Sequence, residues 1–330
     1  MNFMFDFIHI GLGKFVSTYM QQLWIDDPDY NFVSCQSIAS ALTAHVLEDP
    51  NVEDVPYLDF PDLQTIGSNV LSSEGLTFSL DKRFSDANLF EKKQRYSALA
   101  HQGLSKKVFI IVRSPVSWMK SAHAQTIHQG GSRDASWFVR NQEAIILNNL
   151  NLRKIVECWT DAGFEAVIIP KELLKKNESC FWQSYTDKLG CKKPINKLRN
   201  EDPRKALITK NITNYASLEM HAAVNKVLHT LKILGETAQF TNEKEKRRIL
   251  ECLDYSKAWA TRRIIPFHDD SDLQPLANLL ASENKHLFHN FNLTNAMVSS
   301  IEKHFLTPLA DYGVHNTTIE AYMSEMTQSV

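Results

Sequence analysis

The apolar run FMFDFIHI at residues 3–10 ends at a glycine, and a helical pattern starts again within a few residues, in GLGKFVSTYMQQLWI. A nearly continuous apolar run is what a strand covered on both faces of a parallel sheet looks like. A strand that turns within six or seven residues into a helix is the first half of a βαβ crossover, so this stretch by itself points to an α/β chain. The loop between the two elements suits an anion. Gly11 and Gly13 let the backbone turn sharply and approach a ligand. From about Ser17 the helix begins, and its N-terminus offers unpaired N–H groups and a partial positive charge. Lys14 adds a full charge, and Ser17 and Thr18 add hydroxyl donors.

Two familiar nucleotide loops do not fit. A GxxxxGK[ST] loop would need glycine at Ile8 and a hydroxyl residue at Phe15. A G-x-G-x-x-G fingerprint would need glycine at Val16. The hydroxyl that binds magnesium in an NTPase is therefore missing from its place.

Further along, the alternation continues. YNFVSCQS reads as a second strand, and SNVLSSEGLT as a short third strand ending at Ser72 or Ser73. DANLFEKKQRYSALAHQGL reads as an amphipathic helix. KKVFIIV at 106–112 is the clearest buried strand, and FEAVIIP at 164–170 is another. Between them SPVSWMKSAHAQTIHQGG reads as a helix with Ser114 as N-cap, Pro115 as first helical residue and Gly130–Gly131 as its end. From about residue 211 the pattern is mostly helical. The expected fold class is α/β, with a central parallel sheet flanked by helices and a mostly helical C-terminal part. A single domain over 1–330 is expected, its α/β core in 1–190.

Composition narrows the function classes. The formal net charge of −2 implies no general affinity for nucleic acid, so any basic site must be local. The five cysteines, at 35, 158, 180, 191 and 252, form no CxxC pair, which argues against a zinc knuckle or a disulfide framework and favours a reducing compartment. With no apolar run of membrane-spanning length and no signal-peptide pattern, the expected location is cytoplasmic.

A second constellation lies at the end of the strongest strand. Arg113 ends KKVFIIVR, and Ser121 follows eight residues later in the next helix. The C-terminal edge of a parallel sheet is where ligands bind. Eight residues are 800° of rotation at 100° per residue, so whether the pair brackets one anion depends on where the helix begins.

Together, HIGLGKFVSTYMQ and IIVRSPVSWMKSAHAQ resemble the sulfotransferases that use 3′-phosphoadenosine 5′-phosphosulfate (PAPS), in their bacterial form. The first stretch is similar to the 5′-phosphosulfate loop of that family, and the second to its 3′-phosphate motif, a strand ending in Arg with Ser eight residues on. VLSSEGL and VIIPKELL also fall where bacterial members have similar strands. The resemblance covers residues 5 to about 190. Phe15, Val16 and Gly13 depart from the family pattern, which has threonine or alanine, a small residue and often proline there. Lys14, Ser17 and Thr18 stay in register.

The resemblance implies a P-loop-like sulfotransferase fold and in-line transfer of a sulfuryl group from PAPS to an acceptor hydroxyl, with PAP as product and no metal. It implies that Lys14 donates to the bridging oxygen or the 5′-phosphate. Gly11, Gly13, Phe15, Val16, Ser17 and Thr18 would form the phosphosulfate loop, and Arg113 and Ser121 would hold the 3′-phosphate. Glu74, after the third strand, is the candidate base, with His123 and His128 as alternatives. The acceptor would be a small molecule, lipid or glycan. Two other readings stay open at this point: a P-loop kinase of small molecules and a non-catalytic nucleotide-binding relative.

Overall fold

The computed structural model describes residues 4–11, 17–48, 67–195 and 288–330, together with Ala222 and Asn225. Five strands form one parallel sheet in the order β2-β3-β1-β4-β5: β1 (Phe7–Ile10), β2 (Tyr30–Ser34), β3 (Ser68–Ser73), β4 (Lys107–Val112) and β5 (Glu165–Pro170). The helices between them are α1 (Ser17–Asp26), α2 (Gln36–Glu48), α3 (Ala87–Ala100), α4 (Pro115–His128), α5 (Ala135–Asn149) and α6 (Leu152–Asp161). After β5 come α7 (Leu173–Lys176) and α8 (Glu178–Leu189). Residues 293–330 are largely helical, with α9 (Asn295–Ile301), a π turn, α10 (Thr307–Asp311) and α11 (Asn316–Thr327). The helical expectation for residues 211–287 lies outside the described residues, apart from Ala222 and Asn225, which are helical.

The centre of the sheet is buried because β1, β4 and β5 are mostly apolar in both alternating registers. Phe7, Phe109, Ile111, Val167 and Ile169 form one core cluster with Met20, Leu23 and Trp24 of α1 and with Phe181, Trp182 and Tyr185 of α8. The alternate residues Ile8, Ile10, Val108, Ile110 and Ile168 are equally buried, so the opposite face is covered too. At about 25 cal/mol per Å² of apolar surface, such two-sided burial is the main term that holds the sheet together.

β1 is shorter than the apolar run that announces it. Asp6 interrupts the run, and its carboxylate accepts the Asn69 N–H at 2.7 Å while its own N–H donates to Asn69 O at 2.9 Å. A side chain thus enters the pairing at the point where the regular ladder begins. The α4 boundaries follow their caps. Ser114 Oγ accepts the Ser117 N–H at 3.3 Å, and Gly130 takes φ +101°, a conformation that L side chains rarely adopt.

The chain divides into two compact units, one of Met1–Trp118, Gln142–Asn211 and Leu293–Val330, the other of Met119–Asn141 and Ile212–Asn292. The sheet lies wholly in the first. In the second, His123 packs among the rings of Phe138, Phe288 and Phe291, and Asn225 donates to the carbonyls of Ile127 and Gly131 at 2.8 Å each. Among the described residues, no helix is long and apolar enough to cross a membrane.

Candidate functional site

The strand order sets where a ligand can enter. The chain leaves β1 for β2 on one side, returns to β3 beside β1, then crosses over β1 to β4 on the other side. The winding reverses at β1, and the crevice beyond the carboxyl end of such a strand is where open α/β sheets bind ligands. Three sequence-derived candidates leave the sheet at this edge. Gly11 follows β1, Glu74 follows β3 and Arg113 follows β4, and β3 and β4 are the two strands that pair with β1.

Around Gly11 the edge is tied down by hydrogen bonds. Thr77 Oγ1 donates to the Gly11 carbonyl. Thr77 is held in turn by Gln94, whose Nε2 donates to Thr77 O at 2.8 Å, and by its place after a 3-10 turn, Glu74–Leu76. Next to Gln94, the buried Lys93 ammonium donates to Phe78 O at 2.9 Å and lies 5.2 Å from the Phe84 ring centre. Burial pushes that amine down to about 7, with Asp81 pulling it the other way. The sequence reading did not single out Lys93, which sits in an amphipathic helix pattern where lysine is normally a surface residue.

Glu74 is half-buried, with Ser73 accepting the Gly75 N–H at 3.1 Å beneath it. No salt bridge among the described residues includes its carboxylate. Gly13, Lys14, Phe15 and Val16 lie outside the described residues. Ser17 and Thr18 are the first residues of α1.

Arg113 stands in a charged network. Its Nη2 donates to Ser117 Oγ, one turn into α4. Beside it the Ser114 N–H donates to Glu172 Oε1 at 3.2 Å, and Ser114 Oγ donates to Glu325. Tyr322 donates its hydroxyl to Glu172 Oε2. Glu172 follows β5, whereas Tyr322 and Glu325 belong to α11, about 150 residues further along. Burial and the two carboxylates hold the Tyr322 phenol far above its ordinary range, so it acts as a permanent donor. Sequence reasoning missed all three partners, because no local pattern links a C-terminal helix to the end of β4. Ser121 lies on α4 beyond Trp118, in the second unit, whereas Arg113 belongs to the first.

Two further side chains of α4 are buried. Trp118 is fully buried and meets the Phe78 ring edge-on at 6.3 Å. His123 bonds the Arg133 carbonyl through Nε2 at 2.8 Å, and burial lowers its pKa. The His123 imidazole thus packs in the core of the second unit. No group of three or more His, Cys, Asp or Glu side chains that could hold a metal occurs among the described residues. No family model matches this chain, and no curated protein matches it.

Proposed function

We propose that this chain is a sulfotransferase that moves a sulfuryl group from PAPS to an acceptor hydroxyl. The observation that carries the reading is that Gly11, at the head of the lysine-bearing loop, and Arg113 follow the paired strands β1 and β4 at the switch point of the sheet. A 5′-phosphosulfate bound over β1 and a 3′-phosphate bound over β4 would call for anion-binding groups after neighbouring strands, and the position of Gly11 and Arg113 supports that reading.

In this reading, Glu74 takes the proton of the acceptor hydroxyl as its oxygen forms a bond to sulfur. The bond from sulfur to the bridging phosphate oxygen breaks in line, and the charge that collects on that oxygen is met by Lys14 and by the N-terminus of α1. The amides and hydroxyls of residues 11–18 cradle the 5′-phosphate, and Arg113 holds the 3′-phosphate. Positioning and preorganised charge supply most of the acceleration in such transfers.

Thermal shift with PAP and with ATP–magnesium, on the wild type and Arg113→Ala, tests the reading. PAP at about 100 times its Kd should stabilise by about 2.7 kcal/mol. Stabilisation by PAP that Arg113→Ala abolishes is the expected result. Stabilisation by ATP–magnesium alone would overturn it in favour of a kinase. Lys14→Ala should lower sulfuryl transfer at least about 10²-fold, the usual loss for one donor to a developing charge.

A further inference from the structure

The stretch that follows the Glu74 turn is irregular, yet its backbone is bonded at every step. Residues 77–79 belong to no strand or helix. Their three carbonyls nevertheless accept hydrogen bonds from buried side chains. Thr77 O accepts from Gln94 Nε2 at 2.8 Å, Phe78 O from Lys93 Nζ at 2.9 Å and Ser79 O from Asn149 Nδ2 at 2.7 Å. Asn149 also accepts the Ser79 N–H through Oδ1 at 3.1 Å. The Thr77 and Phe78 N–H groups donate to Glu74 O at 3.3 and 3.0 Å. Gln94, Lys93 and Asn149 are all buried. A buried polar side chain is unfavourable unless it is bonded, and a buried backbone group must find a partner. Here each need meets the other. Side chains of α3 and α5 do for this stretch what a neighbouring strand does in a ladder.

Thr77 passes that rigidity on to β1. It is fully buried, and its Oγ1 donates to the carbonyl of Gly11, the residue at which the chain leaves β1. Its own N–H and carbonyl are both bonded, so the hydroxyl starts from a fixed backbone. A peptide group is planar and trans, so a carbonyl held at its oxygen fixes the direction of the amide N–H across the same bond. Backbone amides are what a loop at a helix N-terminus offers to a phosphate.

We propose that Thr77 is a positioning residue for the anion loop, its hydroxyl fixing the Gly11 peptide from which the cradle of the 5′-phosphate starts. This rests on the reading of residues 11–18 as that cradle. The same residue closes the turn that carries Glu74, so it sets the cradle and the candidate base in one frame.

Equilibrium titrations with PAP and with adenosine 3′-monophosphate, which lacks the 5′-phosphate, test it on the wild type, Thr77→Val, Thr77→Ser and Gln94→Met. Thr77→Val keeps the shape and removes the donor. It should weaken PAP binding by about tenfold, the effect of one lost hydrogen bond to a buried carbonyl. Binding of the 3′-monophosphate should change by less than about twofold, since its phosphate lies on the Arg113 side. Thr77→Ser keeps the hydroxyl and should stay within about threefold of the wild type for PAP. Gln94→Met releases the Thr77 carbonyl, should weaken PAP alone by about threefold, and carries the test if Thr77→Val does not fold. A wild type that prefers PAP, beside variants that bind it as tightly, would overturn the Thr77 assignment alone. Equal weakening of both nucleotides would also overturn it, by reducing Thr77 to a support of the whole fold. A wild type that binds PAP no more tightly than the 3′-monophosphate would overturn both this inference and the function it rests on.

Discussion

Two buried polar networks in the first unit differ in charge, and the difference follows their depth. His9 sits on the central strand β1, fully buried between the rings of Trp24 and Phe109 at 5.2 and 5.6 Å. Its Nδ1 bonds Ser72 Oγ at 2.8 Å, and Gln21 donates to the same hydroxyl at 3.0 Å. Burial lowers the His9 pKa to about 3, so this network is neutral. At the edge of the sheet, Arg113 bonds Ser117, and Glu172 and Glu325 accept from Ser114 and Tyr322, so charged side chains sit among hydroxyl donors. An isolated charge under the sheet would lose its hydration without recompense, whereas partial exposure and multiple partners make charges tolerable at the edge. The neutral network lies under the sheet, and the charged one lies where the strands end.

The largest expected effect tests the first half of that contrast. Trp24→Ala removes a ring packed against Phe7 and His9 and a donor to Tyr185, and should cost about 3–5 kcal/mol in urea unfolding. A cost below about 1 kcal/mol would mean that the α1 face is not a packed core. Tyr322→Phe should cost less, about 1–3 kcal/mol, because it leaves one oxygen of Glu172 without its phenolic donor. It should also weaken PAP binding, through the loosened surroundings of Arg113. Lost stability with unchanged binding would separate the α11 contact from the site.

pH sharpens the contrast further. His9 titrates near 3 when folded and near 6.5 when unfolded, so between those values the unfolded state holds more protons and stability falls as pH falls. His9→Gln should flatten the slope of stability against pH between 6.5 and 4 by at most about 1.4 kcal/mol per unit. His101, lowered by burial to about 4, keeps its own share in both proteins. An unchanged slope would show that the buried imidazole is already charged. The smallest effect lies outside both networks. Gly190 ends α8 at φ 77°, ψ 11°, and Gly190→Ala should cost about 1 kcal/mol while leaving ligand binding unchanged.

What the sequence by itself determined is local. The strands β1, β4 and β5 were legible in apolar runs such as KKVFIIV, because a strand buried on both faces must be apolar in both registers. The α4 boundaries were legible in Ser114, Pro115 and Gly130, because caps and positive φ angles are set by single residues. The proposal that residues 11–18 and Arg113 bind an anion rests on side-chain chemistry next to strand ends. The tertiary structure decided the rest. Strand order, which sets β1 between β3 and β4 and so brings Glu74, Gly11 and Arg113 to one edge, depends on crossovers whose destinations no local pattern encodes. The partnership of Ser114 with Glu325 spans 211 positions, and that of Tyr322 with Glu172 spans 150. Lys171 and Lys93 look like ordinary surface lysines in the sequence. Only packing takes away the water that would otherwise make them so, and the same loss of water gives their charges consequences.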